Sequence, residues 1–110
     1  MNNSNRARLI KLESAERYQR LISRDSGSSG IKAGHIILKS GENVGSHSTG
    51  EREEVIIVLK GRGEARISKD EILKIETDTV LYIPPETEHD IKNTGTENLE
   101  YIFVTSPVKI

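Results

Sequence analysis

Residues 47–61 read HSTGEREEVIIVLKG: a histidine, the acids Glu51, Glu53 and Glu54, five apolar residues from Val55 to Leu59, and Gly61. Side chains alternate between the two faces of a strand. A strand with Glu54 facing inward therefore places Ile56 and Val58 beside it and turns Val55, Ile57 and Leu59 to the other face. Both faces are then apolar, the pattern of a strand that lines a closed interior on one side and packs against a second layer on the other. Glu54 would stand at the polar end of an apolar cavity. The plainer reading makes it one more acid at a solvated loop end.

Outward from this stretch, the chain reads as mostly β. Ile and Val together number 20 against 8 Leu, and the apolar runs are short and separated by turn residues. The predicted strands are Ile31–Leu38, Val55–Leu59, Ala65–Ile67, Ile72–Ile75, Val80–Ile83, His89–Lys92 and Leu99–Thr105. Between them stand turn sequences such as Ser40-Gly41-Glu42-Asn43, Gly61-Arg62-Gly63 and Pro84-Pro85. Many short strands at this spacing predict a sandwich or barrel. Residues 1–30 are read as an N-terminal arm or first strand and a flexible loop, DSGSSG at 25–30, with residues 31–110 as the barrel of one domain. Within that arm, Leu12, Ala15, Tyr18 and Leu21 or Ile22 fall near helical spacing, whereas Tyr18, Arg20 and Ile22 alternate as a strand does. The expectation is one strand or one short helix.

Composition excludes several classes. With 16 Lys and Arg against 17 Asp and Glu and no basic block, the electrostatic footprint of a nucleic-acid binder is missing. The longest apolar run, Val55–Leu59, falls far short of the ~18 residues of a membrane span. The start, MNNSNRARLI, has no apolar core of a signal peptide, and there is no cysteine. These features predict a cytoplasmic protein. Only 34% of residues are hydrophobic and 4% aromatic, so a partner subunit would help to bury what apolar surface there is.

A second stretch, LYIPPETEHDIKN at 81–93, carries a two-proline turn, His89 and Asn93. A histidine entering a strand that continues with Ile91 is a ligand, a general base or a core residue held by a carbonyl. His35 shares a strand face with Ile31, Ala33 and Ile37, and is read either as a cavity residue or as a hydrogen-bonded histidine of an outer layer. Tyr82, Tyr101 and Phe103 are candidates for lining or stacking, with core packing as the default.

Together these stretches resemble the cupin family, whose first motif runs G-x5-H-x-H-x3-4-E-x6-G and whose second runs G-x5-P-x-G-x2-H-x3-N. Gly41, His47, Glu54 and Gly61 fall in step with the first, and Pro84, His89 and Asn93 with the second, with sixteen residues between the end of the first motif at Gly61 and the start of the second at position 78. The resemblance covers about residues 31–105 and implies an all-β jelly-roll barrel, the double-stranded β-helix. Three positions depart from it: Thr49 replaces the second histidine, and Asp78 and Glu86 replace two glycines. The glycines concern turns, where Asp is tolerated and Glu less so if φ is positive.

The family's ligand set, carried over residue by residue, implies a divalent metal, iron, manganese, nickel or zinc, held by His47, Glu54 and His89; no organic cofactor is expected. Thr49 offers only a hydroxyl there. Two imidazoles and a carboxylate with open positions form a recognised ligand set. The resemblance further implies a small-molecule ligand, with Thr49, His35, Ile56, Val58, Tyr82, Ile91, Asn93, Tyr101 and Phe103 as pocket candidates. It also implies a homodimer formed by packing one sheet of each barrel together, and, where the protein is an enzyme, oxygenase, isomerase or decarboxylase chemistry. The rival reading is a metal-free cupin acting as a small-molecule-binding, sensory or structural module.

Overall fold

The computed structural model describes residues 6–14 and 16–109, so the part of the predicted arm at 1–5, the helical-spacing position Ala15 and residue 110 lie outside the described residues. The alternation of apolar and polar residues is realised as nine strands among the described residues: β1 (Tyr18–Ile22), β2 (Lys32–Leu38), β3 (His47–Ser48), β4 (Arg52–Lys60), β5 (Arg62–Ile67), β6 (Glu71–Glu76), β7 (Val80–Ile83), β8 (Glu88–Asn93) and β9 (Leu99–Pro107). Of the two expectations for the N-terminal stretch, the strand forms: β1 pairs antiparallel with β2, Tyr18 opposite Ile36 and Arg20 opposite Gly34. The DSGSSG stretch begins in a short 3₁₀ turn at Arg24–Ser26, where the Ser26 hydroxyl accepts from the Ser23 N–H at 3.0 Å. The two-residue strand β3 is too short to leave a periodic signal.

Two sheets face each other, one in the order β1-β2-β9-β4-β7 and the other β3-β8-β5-β6. The facing sides hold the core: Leu38, Ile56, Val58, Ala65, Ile75, Leu81, Ile83, Ile91, Leu99 and Tyr101 are all buried. Burying each large apolar side chain stabilises by ~1.5–3 kcal/mol. A one-residue slip of β4 would move Ile56 and Val58 out to solvent, and so its register is fixed. This is the jelly-roll arrangement the resemblance implied.

The chain can close the barrel only where its turns allow. Gly61 joins β4 to β5 at φ 87°, and a Cβ there would collide with the Asn98 carbonyl oxygen. Only glycine satisfies both conditions. Asp78 (φ 66°) and Glu86 (φ 54°) also take the left-handed conformation, although neither is a glycine. Asp tolerates that region; Glu has no local compensation for it.

Candidate metal centre and cavity

The site is assembled by three strands from two sheets. β3 pairs with β8 so that His47 lies directly opposite His89, and their rings approach to 4.3 Å between centroids. Glu54 reaches the same point from β4, which opens at Arg52 and so carries Glu54 inward with Ile56 and Val58. One donor atom from each of His47, Glu54 and His89 lies within 4.8 Å of the other two.

The backbone orients both imidazoles. His47 Nδ1 is 2.8 Å from the Gly45 carbonyl and His89 Nδ1 is 3.0 Å from the Thr87 carbonyl. A carbonyl only accepts, so each Nδ1 carries the proton and each neutral ring keeps its lone pair on Nε2. This is how histidine ligands are usually aimed, through a hydrogen bond from the other nitrogen. His89 Nε2 is buried and makes no hydrogen bond among the described residues. It stands 3.3 Å from Glu54 Oε1, a close approach of opposite charges when the ring is protonated, but without hydrogen-bond alignment. Burial is the largest influence on the His89 pKa and lowers it; the Glu54 carboxylate and the Thr87 carbonyl outweigh it and leave the group above the ordinary histidine value. A buried lone pair without a partner, a second imidazole and a carboxylate fit a divalent cation.

Thr49 does not complete the set. Its hydroxyl donates to the Pro84 carbonyl at 2.7 Å and accepts from the Thr87 N–H at 3.0 Å. Both functions of the group are committed to holding the turn before β8 against the start of β4.

The three residues open onto a cavity of ≈ 220 Å³, smaller than the ~300–1,000 Å³ of sites for drug-sized ligands. Ile56, Ile91, Tyr101 and Phe103 line it, as does Thr49. The Tyr101 hydroxyl has no hydrogen-bond partner among the described residues. Burial, and then the charges of Glu54 and Asp90, hold its pKa well above the ordinary phenol value. It remains a donor at any physiological pH.

Four pocket candidates lie elsewhere. Val58 is buried in the core below the cavity. Tyr82 pairs with Val55 on the outer face of its sheet, is 55% exposed and donates to Glu53 Oε1 at 2.8 Å. His35 is likewise on an outer face, opposite Ile102. It is fully buried there, 2.6 Å from Glu100 Oε2 and 3.3 Å from Gln19 Oε1. Asn93 braces a turn: it donates to the carbonyls of Leu38 and Glu97 and accepts from the Gly95 N–H. The residue of the second motif is therefore a structural clamp rather than part of the cavity.

Sequence reasoning missed Lys32, Ile36, Val44, Ser48, Arg52 and Thr105 as lining residues. Period-2 extension finds two of them, Arg52 before Glu54 and Thr105 after Phe103. Lys32 and Ile36 share a face of β2 by alternation, but only the register of β2 with β9, Lys32 opposite Thr105 and Ile36 opposite Tyr101, turns that face to the cavity; Val44 and Ser48 reach it from loop and short-strand positions.

The barrel with this constellation on its inner wall defines a class of small β proteins, and comparison agrees. A family model for the cupin domain matches residues 34–105, and the chain belongs to that family. It is 31% identical over 75 residues to a polyketide synthase, CurC, of Streptomyces cyaneus, which covers 68% of the chain and 48% of the relative. The chain thus spans about half the length of that curated protein. Among solved structures, an RmlC-like cupin of Methanocaldococcus jannaschii with a double-stranded β-helix fold superposes with a TM-score of 0.79 at 18% identity, covering 92% of this chain and 91% of that one. A Bacillus halodurans protein gives 0.81 at 18% identity, covering 99% and 87%. No helix of the described residues is long and apolar enough to cross a membrane.

Proposed function

We propose that this cupin domain holds a divalent metal through His47, Glu54 and His89 and takes a small organic ligand into the adjoining cavity. The observation that carries the reading is the pair of histidines anchored through Nδ1, with the buried Nε2 of His89 left without a hydrogen bond beside Glu54. Removing a buried polar atom from water without a partner costs ~1–3 kcal/mol, a cost that a coordinated ion removes. A bound iron, manganese, nickel or zinc ion supplies Lewis acidity for polarising a ligand oxygen. The chain's own residues position the ligand: the apolar wall excludes water, and Tyr101 offers a hydrogen-bond donor. Oxygenase or isomerase chemistry suits such a site. We further propose a cytoplasmic homodimer. Ile57, Val80 and Tyr82, 37%, 68% and 55% exposed, form a contiguous apolar patch on the outer face of β4 and β7, the kind of surface that a second copy covers.

The test is the metal content of tag-free protein prepared without chelator, compared with His89→Ala. Near-stoichiometric metal in the wild type and none in the variant supports the site. Empty samples, with no change of melting temperature on adding metal, reject it. The commitment of the Thr49 hydroxyl favours a second reading in that event: a metal-free module that binds small molecules and serves a sensory or structural role.

A further inference from the structure

The mouth of the cavity carries two cations. Lys32, Thr105 and Glu54 form one row across the sheet, since Thr105 pairs with Lys32 on one side and Glu54 on the other. With strands ~4.8 Å apart, the Lys32 and Glu54 backbones stand ~10 Å from each other. Arg52 precedes Glu54 by two residues on the same face of β4, and all three side chains line the cavity. The Arg52 guanidinium is fixed rather than free: Nε donates to Thr105 Oγ1 at 2.8 Å and Nη2 to the Gly30 carbonyl at 2.6 Å. Its Nη1 has no hydrogen-bond partner among the described residues. The ion pairs among the described residues join Arg17 to Glu42, Arg20 to Asp25, His35 to Glu100 and His89 to Glu54. Neither Lys32 nor Arg52 is in an ion pair among the described residues. The lining therefore holds two cations against the single carboxylate of Glu54, which is already turned to His89.

We infer that the ligand is a small monocarboxylate with an apolar body, its anion held at the mouth between Lys32 and the Nη1 edge of Arg52. The inference rests on the small-ligand part of the proposed function and not on its metal. A pre-fixed guanidinium and an unpaired ammonium beside an apolar cavity make charge-assisted hydrogen bonds to an anion, roughly twice as strong as neutral ones. Ile36, Ile56, Ile91 and Phe103 behind them suit an alkyl or aryl body. The cavity of ≈ 220 Å³ limits its size. A phosphate monoester brings up to two negative charges, whereas Lys32 and Arg52 set against Glu54 leave the lining one net positive charge, the match of a monoanion.

The experiment is calorimetric titration of the full chain with benzoate and hexanoate, with their amides, and with phenyl phosphate, using wild type, Lys32→Met and Lys32→Gln. Lys32 is exposed, so both variants should melt as the wild type does. The wild type should bind each acid roughly tenfold more tightly than its amide. Both variants should lose most of that preference while their amide affinity stays unchanged. Equal binding of acids and amides, a preference that survives in both variants, tighter binding of phenyl phosphate, or no binding of any probe at millimolar concentration would overturn the inference. Metal content is measured on the same samples. An acid preference in protein that takes up no metal rejects the metal centre and leaves the carboxylate site standing; metal uptake without acid preference does the reverse.

Discussion

The hydroxyl of Thr49 lies 2.7 Å from the carbonyl oxygen of Pro84 and donates to it. It also accepts from the N–H of Thr87 at 3.0 Å, and the backbone N–H of Thr49 donates to the Thr87 carbonyl at 3.1 Å. Where the family pattern has a histidine, this chain has a clasp between the entrance of β4 and the turn that presents His89.

Thr49→Val should therefore destabilise the fold by ~1–3 kcal/mol, because it strands a carbonyl and an N–H in a nearly buried place. Thr49→Ser keeps both bonds and should lose less than ~1 kcal/mol. Thr49→His adds an imidazole only by giving up the clasp, so the metal-free variant should show the larger loss even where it takes up metal more tightly. Urea denaturation of the three variants checks this; a Thr49→Val protein as stable as the wild type would remove the clasp from the account.

Glu86 sits at φ 54° with its N–H donating to the Gly50 carbonyl at 2.8 Å. The left-handed conformation costs an ordinary residue ~1–2 kcal/mol, and glycine costs ~0.5–1 kcal/mol in chain entropy. Glu86→Gly should raise stability by ~0.5–1 kcal/mol, a few degrees in melting temperature for a domain of this size. Asp78→Gly should gain less, since Asp adopts that region more readily. Thermal melts of both variants test the order.

Tyr101 gives a pH signature. Its phenol pKa is raised in the folded state by burial and by Glu54 and Asp90, and the unfolded value is ~10. A raised folded pKa contributes stability that is complete below the unfolded value and is lost as pH climbs toward the folded one. Stability should thus fall above pH ~10, and one of the three tyrosines should ionise only as the chain unfolds. Alkaline titration of the phenolate absorbance should show that late phase in the wild type and not in Tyr101→Phe; an early, reversible phase for all three would contradict it.

The apolar patch on β4 and β7 predicts a self-associating surface. Val80 is 68% exposed, so Val80→Lys should leave the fold intact while raising the dimer dissociation constant by at least tenfold, roughly 1.4 kcal/mol. Light scattering at micromolar concentration reads the mass. A monomeric wild type would rule out the dimer.

Much of this was readable in one dimension. The strands from β2 to β9, apart from β3, announced themselves because a half-buried strand must alternate and because Pro, Gly, Asn and Asp mark the turns between. The cluster of His47, Glu54 and His89 was legible only through the resemblance to the cupin motifs, which implied those three positions. The pocket candidates were less legible: His35, Tyr82 and Asn93 look like functional residues by type, yet their placement depends on which side of a sheet faces the other.

What the sequence by itself determined is the all-β class and the strands β2 and β4 to β9, because period-2 patterning and turn chemistry are local properties; His47, Glu54 and His89 were singled out only by the resemblance to the cupin motifs. Only the tertiary structure decided that Thr49 is spent on Pro84 and Thr87, that Asn93 is a turn clamp, and that Lys32 joins Arg52 at the cavity mouth. Those facts depend on hydrogen bonds and strand registers between segments 22 to 73 residues apart in the chain, which no local pattern encodes.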